Sequence, residues 1–213
     1  MENRMYKILS RQDSRIALKV IDGHFVTPNS HITHYFDMTT LKTRAAEARA
    51  VAQILAQKYS MNTIIDTIVC MDGMEVVGAY LAEELANAGI RSMNLHETIY
   101  VTAPEFNVAG QIMFRDNLKM MLDKKNVLFL MASATTGKTL QACVESVQYY
   151  GGRLAGVASI FSTIDKIGEI EVNAIFHAKD IPNYKSYKPT ECPMCKDREK
   201  IDALVNGFGY SKI

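Results

Sequence analysis

An unbroken apolar run, Val127-Leu128-Phe129-Leu130-Met131, leads straight into the small polar stretch Ala132-Ser133-Ala134-Thr135-Thr136-Gly137-Lys138-Thr139. A short continuous run of this kind reads as a strand covered on both faces, because a half-exposed strand would alternate apolar and polar residues. Covering both faces takes helices, so the segment predicts an α/β protein with a mainly parallel sheet. The polar stretch opens the next helix. Ser, Thr and Gly keep a loop small, so successive backbone N–H groups point at one spot, and the helix dipole adds positive potential there. That makes a phosphate site, with the hydroxyls of Ser133, Thr135, Thr136 and Thr139, the Gly137 backbone and the Lys138 charge as candidate ligands. The plainer alternative is an ordinary helix N-cap, for which Thr is common. A small polar loop directly after a buried strand favours the phosphate reading, since open α/β sheets bind ligands at that point.

The flanking sequence continues the alternation. Residues 41–59 predict a helix, because Leu41, Ala45, Ala48, Val51, Ala52 and Leu55 recur at three- and four-residue spacing. Residues 67–71 predict a buried strand, residues 76–88 a helix closed by Gly89, and residues 98–102 a second strand. After a mixed excursion over 103–126 come a strand over 127–131, a helix over 139–150, and strands over 154–161 and 174–177. Strands separated by helices imply right-handed crossovers. Upstream, residues 1–14 predict a short helix, and the four-residue spacing of Lys7, Arg11 and Arg15 reads as a solvated helix face. Asp22-Gly23 between the apolar runs 16–21 and 24–27 predicts a hairpin turn, since Gly accepts positive φ without steric cost.

Composition excludes several classes. The 213 residues, 48% hydrophobic and 22% charged, suit one globular domain with a sizeable core, and not a disordered, collagenous or coiled-coil chain. With 24 Lys+Arg against 23 Asp+Glu the net charge is +1, so no basic surface points to nucleic acid or a membrane as partner. No apolar run approaches the roughly 20 residues of a membrane span, and the first residues lack the apolar core of a secretion signal. A cytoplasmic location is expected. Four cysteines in such a chain are expected to be reduced.

The loop Thr135-Thr136-Gly137-Lys138-Thr139 behind the strand 127–130 resembles the signature of type I phosphoribosyltransferases, in which an apolar strand and two acidic residues precede Thr-Thr-Gly-x-Thr. Three further pieces stand in that family's order. Gly23-His24-Phe25 and residues 30–37 resemble the hood of orotate phosphoribosyltransferases. Asp72, Gly73 and Glu75, before a helix, sit where the pyrophosphate-binding loop belongs. Cys192-Pro193-Met194-Cys195-Lys196 resembles an element that some orotate enzymes carry near the C-terminus.

The resemblance covers most of the chain. It implies an α/β fold with a parallel sheet flanked by helices, divided into a hood and hairpin over 1–40, a core over 41–178 and a Cys-x-x-Cys tail over 179–213. It also implies a homodimer, phosphoribosyl pyrophosphate as donor, and Mg2+ where transfer runs. The P-loop, Gly-x-x-x-x-Gly-Lys-Ser/Thr, is the other family with a related loop. Gly137-Lys138-Thr139 fits it, but Ala132 stands at the first glycine, and Asp165 is the nearest candidate for a magnesium-holding Asp.

The departures from the resemblance fall on the chemistry. Met131 and Ala132 stand where the family's two acids hold the ribose hydroxyls. Neither side chain accepts a hydrogen bond from a hydroxyl or places negative charge beside a developing cation. Residues 104–115 offer Glu105, Asn107, Gln111 and a lone Arg115 in place of the family's Arg-Lys-x-x-Lys clamp. Pro28 occupies the hood lysine position, and no arginine follows the strand 157–161. The expectation is a protein that binds phosphoribosyl pyrophosphate or a nucleoside monophosphate, with transfer weakened or lost. One alternative is a nucleotide-sensing regulator without catalysis. Another is that Glu75, Asp72 or Asp116 supplies the missing charge.

Cys192 and Cys195 have the spacing of half a zinc site or a redox pair. A tetrahedral site needs four ligands, and Cys70 and Cys143 fall on a predicted strand and helix, so free thiols in the tail are the competing reading. His31 and His34, at i and i+3 with His24 nearby, have a spacing that can bind metal, but a polar segment more often exposes such histidines. Met113, Met120 and Met121 read as adaptable packing residues.

Overall fold

Continuous apolar strands alternate with helices, as the segment after Val127 requires. In this computed structural model the described residues are 2–89, 92–96, 98–108, 110–135 and 137–213, without the side chains of Glu2 and Lys138. A 3-10 turn at Glu2–Arg4 is followed by β1 (Met5–Leu9), β2 (Ala17–Val26), β3 (His31–Asp37), α1 (Thr39–Thr43), α2 (Ala45–Tyr59), β4 (Thr67–Cys70) and α3 (Glu75–Ala86). Next come β5 (Tyr100–Thr102), the short pair β6 (Glu105–Phe106) and β7 (Ile112–Met113), and a 3-10 segment at Asp116–Met121. They lead to β8 (Asn126–Ala134), α4 (Gly137–Tyr149) and β9 (Arg153–Ser162). The remainder holds β10 (Lys166–Ile167), β11 (Ile170–His177), β12 (Ser186–Tyr187), the one-turn α5 (Pro193–Lys196), β13 (Ala203–Asn206) and β14 (Gly209–Lys212).

The main sheet has the order β10-β11-β9-β8-β4-β5, parallel from β11 to β5, with β10 antiparallel at the edge. The period of two sorts its side chains into two cores. Ile68, Cys70, Leu128, Leu130 and Ala132 pack with Val51 and Leu55 of α2 and Val77 and Leu81 of α3. Val69, Phe129 and Met131 pack with Leu140, Cys143 and Val147 of α4. The α/β class with a parallel sheet flanked by helices is therefore observed. Among the described residues no helix is long and apolar enough to cross a membrane.

A second sheet forms the hood, in the order β12-β3-β2-β13-β14. β1 lies antiparallel along the first half of β2, with Met5 opposite Ile21 and Leu9 opposite Ala17. β13, from the other end of the chain, runs parallel to the second half of the same strand, pairing Ala203 with Phe25 and Leu204 with Val26.

Three local expectations are corrected. Residues 1–14 contain a strand in place of a helix, because Tyr6 and Ile8 alternate onto the core and the backbone pairs with β2; Lys7 sits on that strand. Asp22-Gly23 is not the hairpin turn. β2 runs through it with a bulge between Asp22 and Phe25, since β3 pairs with both halves. The turn falls at residues 27–30, where the Ser30 N–H donates to Thr27 Oγ1 at 2.8 Å. The helix over 41–59 is split by Arg44, whose ψ of 116° is extended. Thr39, Thr40 and Thr43 weaken the first piece, because β-branched residues lose rotamer freedom in a helix.

A buried side chain ties the linkers on one end of the sheet together. Asn94 is fully buried, accepts from the Ile65 N–H at 2.7 Å and donates to the Thr63 carbonyl at 2.8 Å. Asn94→Ala leaves both backbone groups unpaired in a dry site, so it is expected to cost about 2–3 kcal/mol in urea unfolding. The far-ultraviolet circular dichroism spectrum should be retained.

Candidate phosphate-binding pocket

Parallel strands end together, and the C-terminal ends of β4 and β8 stop beneath the hood. A cavity of about 350 Å³ opens between them, lined by the β8–α4 loop, the β4–α3 loop, the hood turn at residues 27–30 and the β13–β14 turn. This is where an open α/β sheet places a ligand.

The β8–α4 loop forms the floor. β8 continues to Ala134, further than the expected 131, because its last residues stay paired with β9. Beyond it the Ala134 carbonyl accepts from the Thr163 N–H and Ser162 Oγ, each at 3.0 Å, and the Thr135 carbonyl accepts from Thr163 Oγ1 at 2.9 Å. With the carbonyls held on β9, the side chains of Ser133, Thr135 and Thr139 line the cavity. None of their three hydroxyls has a hydrogen-bond partner among the described residues. Gly137 is exposed and begins α4. Thr136 and the Lys138 side chain lie outside the described residues.

The β4–α3 loop turns sharply. Asp72 and Gly73 take φ of 57° and 77°, left-handed values that Asp and Gly tolerate best, and the Met74 N–H donates to the Met71 carbonyl at 3.1 Å. Asp72 lines the cavity. Glu75 is exposed at the start of α3, and Asp116 is exposed and paired with Lys119 at 2.7 Å; neither lines the cavity. Of the three acids considered as replacements, the fold brings in only Asp72.

Lys42 is the residue that sequence reasoning missed. From α1 its buried Nζ donates to the Asp72 carbonyl at 2.8 Å and to the Gly207 carbonyl at 2.7 Å. One ammonium therefore joins the hood-side helix, the β4–α3 loop and the β13–β14 turn. A Cβ on Gly207 would collide with the Asp72 carboxylate, so only glycine permits this approach. Burial pulls the Lys42 pKa down, against Asp72, Glu75 and Asp37. Burial also pushes the Asp72 carboxyl up, against Lys42 and the Ala132 backbone amide. No local signal marked Lys42, because its partners lie 30 and 165 residues away.

The walls are aromatic and apolar. Tyr35, Phe36, Phe106, Tyr184 and Phe208 line the cavity, and burial pushes the hydroxyls of Tyr35 and Tyr184 up to about 12, which keeps both neutral. Met131 and Ala132 also line it, 1% and 3% exposed. Arg115 is not free to grip a ligand, since its Nε sits 3.0 Å from both Glu105 carboxylate oxygens.

The histidine and cysteine expectations need correction. His24, His31 and His34 are all buried, not displayed on a polar segment. His31 and His34 cannot share a metal, because residues three apart on a strand face opposite sides; His34 instead meets Asp22 at 3.1 Å. His24 and His31 converge on Cys192 and Cys195, and the four ligand atoms lie within 4.8 Å of one another. Cys192 is buried and Cys195 exposed, and both are free thiols. Cys70 and Cys143 are buried in the two cores of the main sheet, with thiols pushed up to about 12.

A parallel sheet ending beneath a hood, with a Thr-containing loop between β8 and α4, is the arrangement that the resemblance to type I phosphoribosyltransferases implies. No family model matches the chain. It is 26% identical over 185 residues to the orotate phosphoribosyltransferase of Chlorobaculum parvum, spanning 86% of this chain and 88% of that protein. Among solved structures, adenine phosphoribosyltransferase from Thermoanaerobacter pseudethanolicus shares the fold with a TM-score of 0.51 at 14% identity, over 83% of this chain and 96% of that one. Orotate phosphoribosyltransferase from Mycobacterium tuberculosis does so with 0.51 at 16%, over 76% and 91%. The chain is a type I phosphoribosyltransferase-fold protein, orotate phosphoribosyltransferase-like in sequence.

The raised Asp72 pKa has a definite sign. Between the ordinary 3.8 and the raised value, the folded state holds more protons than the unfolded one, so this carboxyl makes stability fall as pH rises through that window. Asp72→Asn keeps the left-handed turn and removes the titration. Its urea midpoint, followed against pH, should decline less above 3.8 than that of the wild type.

Proposed function

We propose that the cavity binds a 5′-phosphorylated ribose or a pyrimidine nucleoside monophosphate, and that phosphoribosyl transfer is weak or lost. The observation that carries this reading is the set of three hydroxyls, Ser133 at the end of β8, Thr135 in the loop and Thr139 in the first turn of α4, which have no hydrogen-bond partner among the described residues. Hydroxyls and backbone N–H groups at a helix start suit one phosphate. A pyrophosphate with its higher charge asks for several cations, whereas Lys42 is the one cation among the described lining residues and already donates to two carbonyls. Above the loop, the aromatic side chains of the hood offer faces for a flat base. The orotate enzymes among the relatives make a pyrimidine the favoured base.

Transfer needs negative charge beside the sugar as pyrophosphate departs. Met131 and Ala132 supply none there. The Mg2+ that the resemblance implies prefers oxygen ligands. Asp72 is the single carboxylate among the described lining residues, crowded by Gly207 and with its pKa raised, so this donor set does not make a magnesium site. The same reading includes a cytoplasmic homodimer, for which sedimentation of the purified chain is the check.

Isothermal titration with orotidine monophosphate, orotate and phosphoribosyl pyrophosphate tests the proposal. The monophosphate is expected to bind, and Thr139→Val to weaken it about tenfold, the worth of one charge-assisted hydrogen bond. Pyrophosphate release from phosphoribosyl pyrophosphate and orotate should stay at background. Orotate-dependent release at an enzyme's rate would overturn the loss of transfer, and absence of monophosphate binding would overturn the nucleotide reading.

A further inference from the structure

The cluster of His24, His31, Cys192 and Cys195 lies outside the cavity and has the geometry of a coordination shell. His24 Nε2 is 3.0 Å from His31 Nδ1, 3.7 Å from Cys192 Sγ and 3.5 Å from Cys195 Sγ, and Cys195 Sγ is 3.2 Å from His31 Nδ1. A tetrahedral zinc with Zn–S of about 2.3 Å and Zn–N of about 2.0–2.1 Å has edges of roughly 3.3–3.8 Å between its ligand atoms. The observed spacings sit close to those edges.

Hydrogen bonding alone does not account for the arrangement. His24 Nδ1 lies 3.1 Å from the Glu199 carbonyl, which can only accept, so Nδ1 carries the proton and Nε2 is left with one lone pair. That lone pair faces three groups at once. A carbonyl fixing the tautomer of a histidine is also the usual outer support of a metal ligand. The local folds serve the same end. Cys192 caps the one-turn α5 and Cys195 lies within it, which brings both sulfurs to His24, and the Glu199 N–H donates back to the Met194 carbonyl at 2.8 Å, presenting the Glu199 carbonyl to His24. The bulge of β2 at residues 22–25 sets His24 beside His31 across the hairpin.

We propose that His24, His31, Cys192 and Cys195 bind a structural zinc ion that clamps the C-terminal segment to the hood. All four protein ligands are present, so the site is closed and holds no position for a substrate. The clamp bears on the cavity through the chain that follows it. Asp202 exchanges hydrogen bonds with the His24 backbone at 2.8 and 3.0 Å, β13 then pairs with β2, and residues 206–209 reach the cavity wall where Lys42 holds the Gly207 carbonyl. The metal therefore fixes one wall of the ligand pocket from outside it.

The test is metal analysis of the full chain, purified without a histidine tag. The wild type should carry about one zinc per chain. Cys195→Ser should lower that at least about tenfold, while His34→Asn, on the same hairpin but outside the cluster, should keep it. Because the cysteine variant can fail to fold, the wild type is also exchanged with Co2+, where a thiolate charge-transfer band and intense visible bands of a tetrahedral centre are expected. Removing the metal with a chelator should expose two further thiols to titration and speed proteolysis beyond residue 197. Absence of zinc with no Co2+ uptake, or a Cys192–Cys195 disulfide by mass spectrometry, would overturn the site. Metal removal that leaves proteolysis unchanged would overturn the clamp. None of these readouts depends on nucleotide binding.

Discussion

A parallel strand covered by helices on both faces has no room for a charge along its length. In β8 this holds from Val127 to Ala132, where every side chain is buried in one of two apolar cores. Polar chemistry is pushed to the strand's end, where the chain leaves the sheet and the next helix begins. The cavity, the hydroxyl loop and the sharp turn at Asp72 all follow from that exclusion, because β4 and β8 end side by side. The same exclusion bears on Met131 and Ala132. Both are buried near the end of the strand, so an apolar pair there extends the core into the place where the resemblance puts two acids.

Beside that apolar pair, the cation among the described lining residues is a buried ammonium used for structure. Lys42 spends two of its three donors on the carbonyls of Asp72 and Gly207. Its desolvation cost is met by hydrogen bonds and by the Asp72 carboxylate nearby. The result joins the hood, the sheet and the C-terminal turn around one cavity.

The C-terminal segment completes the hood at two points. β13 adds to the edge of β2, and the Cys192–Cys195 turn closes on His24 and His31. The zinc proposed for the second point would make the first persistent, since β13 pairs with β2 at only two positions. Chain ends separated by most of the sequence thereby become one wall.

The sequence by itself determined the main sheet and its loop. Strands over 67–71, 127–131 and 154–161 and helices over 76–88 and 139–150 were legible because burial on both faces leaves a continuous apolar run, and helical burial leaves a three-to-four spacing. The hydroxyl loop between β8 and α4 was legible for the same local reason, since it lies within one stretch of chain. The hood was not. Asp22-Gly23 reads as a turn locally but is bridged by β3, and Tyr6 and Ile8 are held in a strand by pairing with β2. Tertiary structure alone decided the rest. Lys42 meets carbonyls 30 and 165 residues away, and His24 meets sulfurs 168 and 171 residues away. Such groups carry no periodicity, because what fixes them is the need of a buried polar atom for a partner, and that partner is supplied only when the sheets close.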